Sequence, residues 1–529
     1  MRDLQGTGRL VRLIAARDRV RLLVWVAAIV FLVAVTAGST IGLYSTQADL
    51  DLAAAAARDN PAALAFNGPD QGLDTIGGQV AFQVGAFGLV VVALMALLLV
   101  GRATRGEEDS GRLELVRSMP VGRHAPLAAG LLIVATTVTV SGVLTAASLV
   151  LFDLPVAGSI VFGAGYVATG FLWIGLTAVT AQISENPRVA TGSAGAVLGA
   201  AYLLRAVGDM SGGAASWASP IGWAQKARPY AGEVWWPLGL SLALAMVLVG
   251  LAVVLAERRD FGSGMVAPTA GPPTAAPSLR SPLALALRMH RGVIGWWALA
   301  TSVLGVVYGS LVQSIEEFIG DNEAIADMMA SLGGASLTDS YLATSLVIIA
   351  LMAAGPGLQI VGRLRTEEAD LRAEPMLATP VSRPAWMGSH LAVGLAASAT
   401  TMALGGVGLG AGYAIVGGGA EQLARLTGSA LVHVPAIWLI VGIGALLFGV
   451  RPRWATMAWT GLAWAFFVAM FGALLELPQW LMDLSPFQHT PPLPADPVRL
   501  LPLALLSSVA AALVVGGLAG FRRRDLVTA

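Results

Sequence analysis

Two charged stretches gather carboxylates and guanidiniums more densely than the long apolar runs around them. Residues 102–124 read RATRGEEDSGRLELVRSMPVGRH, and residues 363–384 read RLRTEEADLRAEPMLATPVSRP. At an offset of 260, Arg105, Glu107, Glu108, Arg112, Glu114, Pro120, Val121 and Arg123 recur as Arg365, Glu367, Glu368, Arg372, Glu374, Pro380, Val381 and Arg383. Carboxylates interleaved with guanidiniums make fixed ion pairs or grip a protein surface. They supply neither a nucleophile nor a metal cage. The first stretch reads as a short helix from about Ser110 to Ser118, with Leu113, Leu115 and Val116 as its apolar positions. Met119-Pro120 ends it, because proline disfavours helix at the residue before it. Each charge costs about 2.5–3.5 kcal/mol near a bilayer centre, so the stretch must face water or protein. A loop that only set topology would need arginines, not four acids among them. A self-neutralising solvated loop would use the same residue types, with pairs worth little each. Recurrence of the stretch favours a rigid docking element for a soluble partner.

Other chemistries are excluded or unsupported. Cysteine is absent, which removes disulfides, thiolate metal sites and thiol nucleophiles. The lone lysine, Lys226, lies in AQKARP, so no Walker A loop with its phosphate-neutralising lysine is present. No HExxH, serine elbow or metal-ligand cluster occurs, so no catalytic and no metal-binding residue is assigned. His390 and His433 are the histidines nearest the apolar stretches and read as hydrogen-bonded packing residues. Glu316-Glu317 reads as a solvated helix face. The 32 basic residues balance 32 acidic ones, which rules out a basic nucleic-acid binder.

What must position the charged stretches is a membrane body. Of 529 residues, 56% are hydrophobic and 12% charged, against about 25% charged in soluble domains. A span needs about 20 apolar residues. Twelve stretches qualify, near 22–43, 80–101, 126–151, 159–182, 190–207, 237–256, 292–312, 341–361, 386–416, 428–449, 455–476 and 499–520. With the N-terminus inside, only Arg58, Arg205, Lys226, Arg228, Arg425 and Arg499 fall outside, and the remaining basic residues lie inside. The positive-inside rule therefore places both termini in the cytoplasm. Further matches extend the repeat. Pro187, Arg188, Ala190 and Thr191 recur as Pro452, Arg453, Ala455 and Thr456, and Arg258-Arg259-Asp260 recurs as Arg523-Arg524-Asp525, at an offset of 265. Arg19 and Trp25 recur as Arg291 and Trp297. The expected fold is an all-α polytopic membrane protein, twelve transmembrane helices in two parallel six-helix repeats. Residues 1–261 and 283–529 form the halves, and the Pro/Gly/Ala stretch 262–282 is a cytoplasmic linker.

EEDSGRLELVRSMPVGR resembles the cytoplasmic coupling segment of type-2 ABC export permeases. Together with the two six-span halves and the terminal Arg-Arg-Asp, the whole chain is similar to the long fused permeases of actinobacteria described as exporters of polyketide antibiotics or other drugs. The resemblance implies a permease subunit of a bacterial plasma-membrane exporter. Two copies of a separate ABC ATPase would bind ATP and magnesium, leaving this chain without a cofactor, and would drive hydrophobic or amphipathic small molecules outward. By position it places Glu107, Glu108, Gly111, Arg112, Glu114, Pro120 and Arg123 in the first ATPase contact. Glu367, Glu368, Arg372, Glu374, Pro380 and Arg383 form the second. Leu371 and Pro375 stand where the first copy has Gly111 and Leu115, so the second helix is expected to start or bend differently. The resemblance also lines the path with the second and fifth spans of each half. Phe82, Phe87, Trp459, Trp464, Phe467, Met470 and Phe471 offer apolar area there.

The outer stretches 45–75 and 313–340 read as surface segments, the latter as an amphipathic helix. Residues 208–236 and 477–498, rich in Pro and Trp, read as re-entrant or interfacial. The rival reading is an ion-driven carrier of the major-facilitator type, which shares twelve spans in parallel halves. Asp109-Ser-Gly-Arg112 faintly resembles its loop motif, but one residue short and without the basic pair. Such a carrier usually needs ionisable groups inside its spans, and the expected span interiors are almost free of them.

Overall fold

The computed structural model describes all residues except 1, 59–60, 211–212, 261, 267–272, 314–336, 473–476 and 527–529. Eleven helices among the described residues are long and apolar enough to cross a membrane. The chain divides into two compact units, Met1–Gly271 and Pro272–Ala529.

In the first unit α1 (Thr7–Leu43) is followed by the short α2 (Gln47–Arg58) and α3 (Pro61–Asn67). Then come α4 (Ile76–Gly101), α5 (Arg112–Arg117), α6 (Ala125–Leu151), α7 (Val156–Ile183), α8 (Pro187–Met210) and α9 (Trp236–Arg258). Thr75 caps α4 by accepting from the Gly78 amide at 3.0 Å. The most enclosed helix is α7, which buries Phe162, Tyr166, Leu172 and Trp173. Its glycines let neighbouring backbones approach. A methyl on Gly163 would strike the Gly142 carbonyl of α6, and one on Gly175 would lie 2.9 Å from the Ala245 carbonyl of α9. Without water to drive burial, such close small-residue contacts are what pack helices in lipid.

The second unit contains α10 (Pro282–Ser310), α11 (Leu337–Ala369), α12 (Ala373–Leu377), α13 (Arg383–Tyr413), α14 (Glu421–Leu431), α15 (Val434–Val450), α16 (Ala458–Phe471) and α17 (Leu500–Arg523). Helices α10 and α13 meet through Gly305, Gly309, Gly405, Gly408 and Gly412, and α15 meets α17 through Gly449 and Gly517. Pro356 lies inside α11, where it removes one backbone hydrogen bond. At the end of α13, the π turn Ala414–Gly418 with Gly417 at φ +108° redirects the chain.

The stretch expected as the eleventh span opens with a 3-10 segment, Pro452–Met457, followed by α16, 14 residues long, about 21 Å at about 1.5 Å per residue. The end of that stretch, residues 473–476, lies outside the described residues. An apolar run does not reveal that its first residues are spent in a tighter coil after proline. Glu476, Glu316-Glu317 and most of the 313–340 surface segment lie outside the described residues. Residues 208–236 carry a short 3-10 turn at Ala215–Ala218 and a helix at Pro220–Gln225, and residues 477–498 carry Gln479–Met482 and Pro486–His489, so both expected interfacial stretches contain broken helix. The Met265 and Val266 amides donate to the Gln182 and Ile183 carbonyls, both at 3.1 Å, so residues 263–266 lie against the first unit.

Candidate functional site

Helix α4 does not stop at the charged stretch. It passes through a π turn, Arg102–Gly106, into Glu107–Asp109. The Gly111 amide then donates to the Glu108 carbonyl at 3.1 Å, Gly111 adopts φ +70°, and α5 begins. The Val121 amide turns back to the Met119 carbonyl at 2.7 Å across Pro120. In the second unit α11 runs directly through Glu367-Glu368. The Leu371 amide donates to the Glu368 carbonyl at 3.1 Å, and the Val381 amide to Thr379 at 2.7 Å across Pro380.

The second helix starts differently, as expected: α12 begins at Ala373 behind Arg372, one repeat position later than α5, which begins at Arg112 behind Gly111. Leu371 takes φ +59°, the same left-handed turn that Gly111 makes. A side chain in that region costs about 1–2 kcal/mol, and the surrounding bonds impose it. Pro375 is accommodated in the first turn of α12, where its missing amide has no partner to lose. Leu371→Gly is therefore expected to stabilise the second unit by up to about 1 kcal/mol, and Gly111→Leu to destabilise the first by about 1–2 kcal/mol. Unfolding midpoints in detergent check both signs.

The repeated residues make repeated contacts. Glu107 pairs with Arg112 at 3.6 Å, and Glu367 with Arg372 at 3.2 Å. Glu108 takes two bonds from Arg259, at 2.5 and 3.1 Å, and Glu368 takes two from Arg524, at 2.6 and 2.5 Å. Arg123 donates to the Glu257 carbonyl at 3.0 Å, and Arg383 to the Arg524 carbonyl at 2.8 Å. These pairs tie each segment to itself and to the end of the last helix in its own unit.

This frame revises which side chains are free to meet a partner. Glu107, Glu108, Glu367 and Glu368 were expected at the ATPase contact. All four are turned inward, with side chains between 5% and 14% exposed. Arg112, Glu114, Leu115, Met119 and Pro120 form the exposed face of the first segment, and Arg372, Glu374, Pro375, Thr379 and Pro380 that of the second. Leu115 is 72% exposed. Charge count alone could not separate paired acids from presented ones.

Two anchors were missed in the sequence. Asp18, in α1, binds Arg17 at 2.8 Å, Arg21 at 2.9 Å and Arg102 at 3.1 Å, while Arg17 also reaches Glu107 at 3.0 Å. One acid within the arginine-rich start of the chain was the available signal. Arg105 is buried, bonded to Glu108 at 2.7 Å, to the Ala181 carbonyl and to the Ser263 carbonyl at 2.9 Å. Its counterpart Arg365 is half-exposed.

The aromatic candidates for a substrate path differ in exposure within each unit. Phe82 is buried and lines a small cavity with Gly85, Phe162 and Tyr166. Phe87 lies about 140° around the same helix, at about 100° per residue, and is 50% exposed. On α16, Trp464 stacks on Phe467 at 5.7 Å, Trp459 is exposed and Met470 half-buried. The side chain of Phe471 lies outside the described residues. His433 bonds Thr490 at 3.0 Å, as a packing residue would. His390 meets His290 at 2.9 Å, a partner a hundred residues away that the sequence did not suggest.

Long apolar helices ending in framed, charged segments define a multi-pass membrane protein. Residues 279–522 match the model of the family described as multidrug efflux system permease Rv1217c, C-terminal domain. The chain is 39% identical over 524 residues to the multidrug efflux system permease protein Rv1217c of Mycobacterium tuberculosis (strain ATCC 25618 / H37Rv), covering 98% of this chain and 95% of that protein. The chain belongs to this permease family.

Proposed function

We propose that the chain is the membrane subunit of an ATP-driven exporter of hydrophobic or amphipathic small molecules. Its two charged segments dock two copies of a separate ABC ATPase, which hold the ATP and magnesium. The observation that carries this reading is the recurrence of one frame. Both segments form a short helix behind a left-handed turn, fixed by matching ion pairs, with matching positions left exposed. A solvated loop needs no such frame, whereas a surface pushed by a motor must be stiff. The efflux role of Rv1217c agrees with an export function here. Twelve spans in two parallel six-helix repeats, with α16 and the residues after it completing the eleventh, would place both segments and both termini in the cytoplasm of a bacterial plasma membrane.

Leu115→Asp combined with Pro375→Asp changes the exposed faces and leaves every ion pair intact. Recovery of the ATPase with the purified permease is expected to fall at least about tenfold, as for loss of a central contact. Yield and unfolding midpoint should stay at parental values. Undiminished recovery refutes the docking reading. The rival ion-driven carrier predicts drug uptake by inverted vesicles on a proton gradient without ATP, and the His290–His390 pair would be its natural proton site.

A further inference from the structure

Given the docked ATPase proposed above, we infer that Arg259 and Arg524 are positioning residues that carry movement of each docking segment into the last helix of its own unit. The segments meet the ends of those helices through polar forks beside gaps in the packing. In the first unit a cavity of about 200 Å3 lies between them, lined by Thr104, Leu113, Leu127, Gln182 and Ala256 beside the Glu108–Arg259 pair. In the second, Ala373, Met376, Leu377 and Val381 share an apolar cluster with Phe521 and Leu526, and a cavity of about 250 Å3 beside Glu368, lined by Leu371, Ala373, Glu374, Leu377 and Leu526, interrupts the contact. Apolar packing resists compression but lets surfaces slide and turn. The directional link is the two-bonded guanidinium–carboxylate fork, aided by Arg123 and Arg383 on the helix-end carbonyls.

A fork with two parallel bonds resists rotation as well as separation, which a single point charge does not. Arg524 is further held by the faces of Phe448 and Phe521, with ring centroids 5.2 and 4.9 Å from its guanidinium carbon. A displaced segment therefore turns the end of α17, or of α9, instead of sliding past it. The two offsets in the sequence support the pairing. Glu108 and Glu368 differ by 260 and Arg259 and Arg524 by 265, yet the same acid meets the same base in both units.

The test uses the full chain co-purified with its ATPase and reconstituted in liposomes, with ethidium as the fluorescent probe. Arg524→Glu, Glu368→Arg and the double reversal are compared. The second unit is preferred because Glu108→Arg would crowd the buried Arg105. Arg524→Glu should retain the ATPase and its basal hydrolysis within about threefold, each single reversal should lose ATP-dependent ethidium transport at least about tenfold, and the double reversal should recover most of it. Arg524→Lys, a point charge, should fall between them. Single reversals that transport at the parental rate overturn the strut role, as does a double reversal no better than the singles. Loss of the ATPase from the single reversals alone, regained in the double, would make the pair an orienting device for docking and overturn transmission. Failure of the parental chain to retain any ATPase would instead sink the docking reading itself.

Discussion

Gly408→Leu should leave almost no folded protein. Gly408 of α13 faces the carbonyl of Ser302 on α10, and Gly305, Gly309 and Gly412 meet backbone atoms of the opposite helix in the same way. The Thr301 hydroxyl also donates to the Thr401 carbonyl at 3.2 Å across this seam. The obstacle to any side chain is backbone, so no rotamer change relieves it, and the helices must separate along their length. Overpacking a core commonly costs about 1–3 kcal/mol, and four carbons against a fixed carbonyl should exceed that upper value. The measurement is the monodisperse fraction after size-exclusion in detergent, with Gly295→Leu on the partner helix α10 as control, since Gly295 has open space around it. Normal recovery of Gly408→Leu would mean that α10 and α13 do not approach this closely.

Arg205→Leu should cost about 3–5 kcal/mol, the range for breaking a buried ion pair from one side. Arg205 and Asp209 are both essentially fully buried and 3.4 Å apart near the end of α8. Arg205 also donates to the Phe66 carbonyl at 3.2 Å and lies over the Tyr202 ring at 4.4 Å, while the Ser216 hydroxyl donates to Asp209 at 2.5 Å. Removing the guanidinium leaves a carboxylate with one hydroxyl in an enclosed site. Adding Asp209→Asn should return a large part of the loss, because no charge is then stranded. Unfolding midpoints of the two variants decide the matter. An Arg205→Leu protein as stable as the parent would show that water reaches Asp209.

Much of this architecture was legible because lipid imposes length and apolarity together, and ten of the expected stretches are observed as long helices at the expected places. The eleventh observed helix, Glu421–Val450, covers the remaining matched stretch but joins two pieces, α14 and α15, through His433. The repeated charged segments were legible through residue identity, since proline and paired acids recur at fixed spacing. Their orientation was not. Whether Glu108 points inward depends on Arg259, some 150 residues later, and a charge has the same cost in lipid whichever way it turns. The Arg-Arg-Asp echo was visible, but nothing in a linear pattern joins it to the acids. The left-handed turn at Leu371 was not legible for a related reason: local preference argues against a left-handed leucine, and the bonds on either side override that preference.

The π turn at Arg102–Gly106 and the buried Arg105 belong to the first unit alone, while the second continues helically and leaves Arg365 half-exposed. A π turn is a site of local give, and a guanidinium fastened to three carbonyl or carboxylate groups is the opposite. If two ATPase copies dock as proposed, they would meet unequal stiffness, their nucleotide turnover need not be simultaneous or equally productive, and identical subunits would acquire separate duties from the mountings alone.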